Sequence, residues 1–145
     1  MKITIETLPD GAEEEIIIRS NNMDSDIMEL IFALKAGRNR ITAFNQNEII
    51  KLNSKEIFYF ESVDNRVYAC CEKSVFEVKQ KLYELEEIYE HTDFVRTSKA
   101  MIVNISKIKR IIPMFNGRLE AALSNGEKVI ISRQYVPNLK KKIGM

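Results

Sequence analysis

Two Asn-Gly pairs, Asn116-Gly117 and Asn125-Gly126, constrain this chain more tightly than any other feature. They separate three short runs rich in apolar residues: Ile111 to Phe115, Arg118 to Leu123 and Lys128 to Ser132. Asn-Gly supplies the two positive-φ residues of a type I′ turn, whose twist matches that of the antiparallel strands it joins. The last third is therefore predicted to hold a three-stranded antiparallel meander. Beyond it, Ser132 or a near neighbour is placed to cap a final helix carrying Val136, Leu139 and Ile143. Pro137 fits that helix only in its first turn, where no backbone N–H is needed.

Upstream, Ile41 to Phe44, Glu48 to Leu52, Ile57 to Glu61, Arg66 to Cys71 and Val75 to Val78 read as strands, and Phe94 to Thr97 as another short one. Lys81 to Glu90 sets Leu82, Leu85 and Ile88 or Tyr89 on one face, which predicts an amphipathic helix. The first 45 residues differ. Ile3 and Ile5 alternate with polar residues in Lys2 to Leu8, Pro9-Asp10-Gly11 reads as a turn, and Ile16 to Ile18 sit in a second β-rich run from Glu15 to Arg19. Asp26 and Glu29 suggest a capping arrangement for a helix with Ile27, Leu30, Ile31 and Leu34 on one face, stopped at Gly37. The expected fold class is thus mostly β (α+β): residues 46–145 as an antiparallel β domain with short helices, preceded by a βα extension over residues 1–45.

Charge divides the chain. The net charge of +1 over 145 residues separates into −8 for residues 1–93 and +9 for residues 94–145. A compact segment carrying that much positive charge suits a polyanion; the competing reading is a solvated face that complements the acidic half. Catalysis lacks the parts. The single histidine, His91, stands in an acidic run at a helix end, and no glycine pattern forms a phosphate-binding loop. With no CxxC, and with Cys70 and Cys71 adjacent and directed to opposite faces of a strand, neither a zinc site nor a disulfide is expected. No enzyme activity, cofactor, metal or small-molecule substrate is expected. The longest apolar runs are too short for a bilayer and no secretory signal opens the chain, so the expected location is the cytoplasm, away from membrane.

Three strand exits carry side chains suited to phosphates and base edges. Asn65 and Arg66 tip the loop after Ile57 to Glu61. Arg96, Ser98 and Lys99 follow the Phe94 strand. Arg133 and Gln134 leave the last strand and enter the last helix, whose N-terminal N–H groups would favour a phosphate. Each has a plain structural alternative: Arg66 bending a hairpin, Arg96 pairing with Asp93 or Glu61, Arg133 neutralising a carboxylate of the acidic half. Lys140 to Lys142 read as dipole-favoured cations at a helix C-terminus. A protein-interaction adaptor is the alternative function, favoured if the basic residues scatter over the sheet instead of gathering at loop tips. RNA binding would need exposed aromatic platforms, for which Phe115 is the one loop-tip candidate.

Five ordered blocks resemble one family. Ile57-Phe58-Tyr59-Phe60-Glu61-Ser62, Leu82-Tyr83-Glu84-Leu85-Glu86, Phe94-Val95-Arg96, Ile102-Val103-Asn104, and Asn125-Gly126 with Ile131-Ser132-Arg133-Gln134-Tyr135 are similar in order and spacing to the LytTR DNA-binding domain, over about residues 45–145. The resemblance implies an elongated, mostly β fold whose loops enter successive major grooves of promoter DNA, commonly at paired direct repeats. It implies contacts from Asn65 and Arg66, from Ser98 and Lys99, and from Arg133, with Arg96 supporting the second loop and Asn104 organising the turn behind it. Many members read His-Arg-Ser where this chain has Ser98-Lys99-Ala100; lysine keeps the charge but not the planar fork, which alters base choice. The first 45 residues are too few for a receiver domain, so the chain resembles the stand-alone form. The apolar residues of that leader exceed what so short a unit can bury alone, which predicts homodimerisation or partner binding through it.

Overall fold

The computed structural model describes residues 2–38 and 41–145, with the side chains of residues 32, 33 and 35–38 left aside. A helix, α1, spans Ser25–Arg38. From Ile41 onward ten strands form, every pairing between them antiparallel. Strands β1 (Ile41–Asn45), β2 (Glu48–Leu52), β3 (Ile57–Val63), β4 (Arg66–Cys71), β5 (Val75–Val78), β6 (Phe94–Ser98) and β7 (Met101–Asn104) form one sheet in the order β2-β1-β5-β4-β3-β7-β6. A second sheet, β10-β9-β8, comprises β8 (Ile108–Pro113), β9 (Leu119–Leu123) and β10 (Lys128–Ile131). Two short helices, α2 (Leu82–Ile88) and α3 (Val136–Lys142), complete the packing.

Strands β3, β6 and β7 read as apolar runs without clean alternation because they are covered on both faces. On one face Phe60, Phe94 and Ile102 pack with Leu82, Leu85 and Tyr89, the last being the C-cap residue of α2. The rings of Phe60, Tyr89 and Phe94 stand 4.7 to 5.8 Å apart between centroids. On the other face Phe58, Val95 and Val103 meet Ala121, Leu123, Val129 and Ile131 of the second sheet and Leu139 of α3. Fully burying each large side chain contributes about 1.5–3 kcal/mol, so two cores share one set of strands and fix the second sheet against the first.

The antiparallel fold class and the three-stranded meander form as the sequence predicts; several details differ. The strands predicted at Lys2 to Leu8 and Glu15 to Arg19 do not form, and residues 2–24 contain neither helix nor strand. Alternation makes a strand only where an edge is available to pair with, and here Ile3 and Ile5 are 82% and 90% exposed. The cap of α1 is Asp24, whose Oδ1 accepts the Ile27 N–H at 3.0 Å, and the helix runs through Gly37 to Arg38. Residues 39 and 40, between α1 and β1, lie outside the described residues.

Neither Asn-Gly pair forms the two-residue turn predicted for it. Asn116 and Gly117 are both left-handed (φ +66° and +76°), but they sit in a loop running from Met114 to Arg118, closed by a Met114 N–H to Arg118 O bond of 2.8 Å. At the other pair Gly126 alone has positive φ, and Asn125 uses its Oδ1 to accept the Glu127 N–H at 3.0 Å. The two-residue turn with both φ positive is Asp64-Asn65 (+51° and +62°), bracketed by the Val63–Arg66 pair. Short Asp and Asn side chains tolerate that region where larger ones do not.

Candidate nucleic-acid interface

Register decides where the three candidate loops go. β3 pairs antiparallel with both β4 and β7, and the Ser62 N–H donates to Ala100 O at 2.8 Å. The Asp64-Asn65 turn and the Lys99-Ala100 turn therefore leave the sheet side by side, at the same end. The third exit joins them: Ser132 N–H donates to Thr97 O at 2.9 Å, and its hydroxyl donates to the same oxygen at 3.2 Å. Ser132 or a near neighbour was expected to cap the last helix; no side-chain cap bond forms there, and Ser132 instead ties the end of β10 to the end of β6. Asn65, Arg66, Lys99, Arg133 and Gln134 are all exposed, and Ser98 is half-buried.

Local bonds shape the backbone beneath these side chains. Arg66 stands 3.9 Å from a Glu77 carboxylate oxygen with two-thirds of its side chain exposed, a loose pair that solvent screens. The Ser98 hydroxyl accepts the Ala100 N–H at 3.2 Å, closing the turn around Lys99. Arg96 lies behind that turn. Its Nε donates to Ser98 O at 2.7 Å, one terminal nitrogen donates to Lys99 O at 2.6 Å, and the other meets Glu86 at 3.4 Å. The carboxylate partner is thus Glu86 on α2, neither Asp93 nor Glu61. With its guanidinium engaged this way and its side chain 15% exposed, Arg96 braces the loop and does not project from it. Among the candidate contact residues it is a positioning residue.

The opposite end of the sheet is where polar groups are satisfied internally. Asn104 is buried; its amide donates to Ile57 O at 2.9 Å, and its oxygen accepts from the Ser106 N–H at 3.1 Å and hydroxyl at 2.7 Å. It organises the turn from β7 toward β8, at the other end of β7 from the Lys99 turn. Tyr59 donates its hydroxyl to Glu127 at 2.7 Å, and burial with this bond pushes its pKa up. Lys142, placed among dipole-favoured cations by sequence, donates instead to Thr92 O and Phe94 O, and desolvation lowers its pKa.

Sequence reasoning missed two contributors at the loop-bearing end. Lys79 and Lys81 line a surface groove together with Asn65 and Arg66, although they belong to the acidic part of the sequence. Lys79 places its ammonium 5.2 Å from the centroid of the Phe44 ring. The β8–β9 loop also reaches this end, because a Cβ on Gly117 would stand 3.1 and 3.3 Å from Cδ and Cγ of Arg133. Reading Asn116-Gly117 as a tight turn hid the loop. The β8–β9 register, Pro113 opposite Leu119, shows it.

Among the described residues no group of three or more His, Cys, Asp or Glu is arranged to hold a metal, and no helix is long and apolar enough to cross a membrane. Burial pushes the Cys70 thiol up to about 11 and the Cys71 thiol upward too, so at neutral pH neither supplies an appreciable thiolate.

Residues 47–144 match the family model described as the LytTr DNA-binding domain. The sensory transduction protein LytT of Enterococcus faecalis is 35% identical over 97 residues, which cover 66% of this chain and 40% of that protein. LytT of Bacillus subtilis is 26% identical over 128 residues, covering 88% of this chain and 53% of that protein. The chain thus spans about half the length, or less, of these two relatives. An HTH-type transcriptional regulator of Staphylococcus aureus is 25% identical over 148 aligned positions, covering 100% of this chain and 99% of that protein. Among solved structures, the LytTr DNA-binding domain of a Bacillus cereus protein shares the fold with a TM-score of 0.69 at 26% identity, covering 74% of this chain and 99% of that one.

Proposed function

The chain belongs to the LytTR DNA-binding domain family, and from that premise we propose that it is a sequence-specific transcriptional regulator that grips duplex DNA with one end of its β-sheet. The observation that carries the reading is the pair of backbone links, Ser62 to Ala100 and Ser132 to Thr97, which gather three separate strand exits into one surface. Lys99, Arg66, Lys79 and Lys81 are suited to phosphates and supply affinity that does not depend on sequence. Arg133 offers the two parallel donors that match guanine, and Asn65 the amide fork that matches adenine in the major groove. Ser98 and Gln134 complete the contact set, and Arg96 keeps the Lys99 turn in shape before DNA arrives.

The proposed target is promoter DNA bearing paired repeats, bound by a homodimer in the bacterial cytoplasm. Residues 2–38 support the dimer. Ile3, Ile5, Ile16, Ile17 and Leu30 lie exposed there, an apolar surface that a second copy would cover. Replacing Ile17 and Leu30 by Asp in the full chain is expected to lower the sedimenting mass to that of one chain; unchanged sedimentation removes the leader from the interface.

Binding itself is tested by selecting duplexes from a random pool with the purified chain and titrating the winner. Arg133→Ala should cost about 1–3 kcal/mol on that duplex and relax the preference at one base pair. An equal loss on random DNA would reduce Arg133 to a phosphate contact. If no duplex is enriched, and affinity does not fall with added salt, DNA is not the ligand.

A further inference from the structure

The β8–β9 loop carries a side chain that no interaction among the described residues explains. Phe115 is 90% exposed, and its neighbours Ile112 and Met114 are 46% and 38% exposed. A ring that remains in water while the fold has two well-packed cores available is held out by its backbone. Asn116 (φ +66°) and Gly117 (φ +76°) turn the chain sharply, and the Met114–Arg118 bond closes the loop beneath the ring. Gly117 has a second reason to be glycine. The aliphatic stem of Arg133 crosses it so closely that a Cβ would meet Cδ at 3.1 Å. The apolar tip and the arginine proposed to read guanine are thus one unit, packed through that contact. Among the described residues neither Arg118 nor Arg133 is held in an ion pair, so two uncommitted cations stand close to Phe115 in the chain or through the Gly117 contact.

An apolar tip packed beside the arginine proposed to read guanine fits a DNA groove: with Arg133 on a base edge, the ring faces the same floor. The apolar group presented on the floor of the major groove is the 5-methyl of thymine. We infer that Phe115 is a further specificity-determining residue, which contacts a thymine methyl close to the base pair read by Arg133. The β8–β9 loop becomes a fourth DNA-contacting element beside the three strand exits. This inference rests on the duplex-binding reading above.

The test uses the full chain and the duplex it enriches from a random pool, remade with each thymine replaced singly by uracil, which lacks only that methyl. For the unaltered chain, one substitution near the position where Arg133→Ala relaxes base preference should weaken binding about fourfold, the value of one buried methyl. Phe115→Ala should bind the thymine duplex about tenfold more weakly and lose the difference between thymine and uracil; Phe115→Leu should retain part of both. A flat uracil series with the duplex still bound overturns this inference alone, as does a Phe115→Ala chain that keeps the same uracil sensitivity. Failure to enrich any duplex overturns the DNA-binding reading together with it. Normal DNA binding by Phe115→Ala with lost control of a reporter gene also overturns it, and gives the ring to a protein partner.

Discussion

The two ends of the β-sheet are built from the same strands and treat polar groups in opposite ways. At the end holding Asn104, Tyr59 and Lys142, polar side chains are spent on the fold: each reaches a carbonyl, a carboxylate or a turn. At the end holding Asn65, Lys99 and Arg133, donors stand exposed while the backbone beneath them is tied down by Ser62, Ser132 and Arg96. Internal satisfaction buries its donors and leaves none for a ligand; a binding end needs free donors and must borrow its rigidity from the second row.

That contrast makes separable predictions. Asn104→Ala should have the largest effect, lowering unfolding stability by about 2–4 kcal/mol, since three hydrogen bonds vanish and buried groups lose their partner. Chemical denaturation would measure the loss, and duplex affinity per folded molecule should not change; a large affinity loss would mean the two ends are coupled. Arg96→Ala should reverse the pattern: about 2 kcal/mol of binding lost through a loosened turn, with a smaller change in melting temperature, and Arg96→Lys should fail to restore it because lysine has no fork. If affinity survives, the turn does not need its brace. Lys99→Ala is expected to weaken binding to all duplexes by about 1 kcal/mol and reduce the salt slope by roughly one phosphate, which titration at several salt concentrations would reveal. Tyr59→Phe should cost at most about 1 kcal/mol of stability, since its bond to Glu127 lies at the surface, and nothing in binding.

Much of this was legible in the chain. Alternation and apolar runs located most strands within a residue or two, and the family blocks marked the three loops. What failed had physical causes. The run around Ile3 and Ile5 has the period of a strand but no edge to join, and periodicity says nothing about partners. Met101–Asn104 escaped notice as a strand because its first three residues are apolar and its last three are buried, leaving no alternation to see. The tight turn was sought at the Asn-Gly pairs and formed at Asp64-Asn65, where no glycine marks it. The support that the family blocks implied for Arg96 takes the form of two carbonyls held by its guanidinium, partners that a sequence does not display.

Those carbonyls have a consequence for how such proteins change over time. The guanidinium of Arg96 holds main-chain oxygens, which every amino acid offers alike, so the shape of the turn is indifferent to which side chain stands at position 99. Mutation can exchange that side chain without dismantling the bracket beneath it. The tip of this turn is thus free to vary in lineages that keep the arginine, each variant still folded around the same bracket.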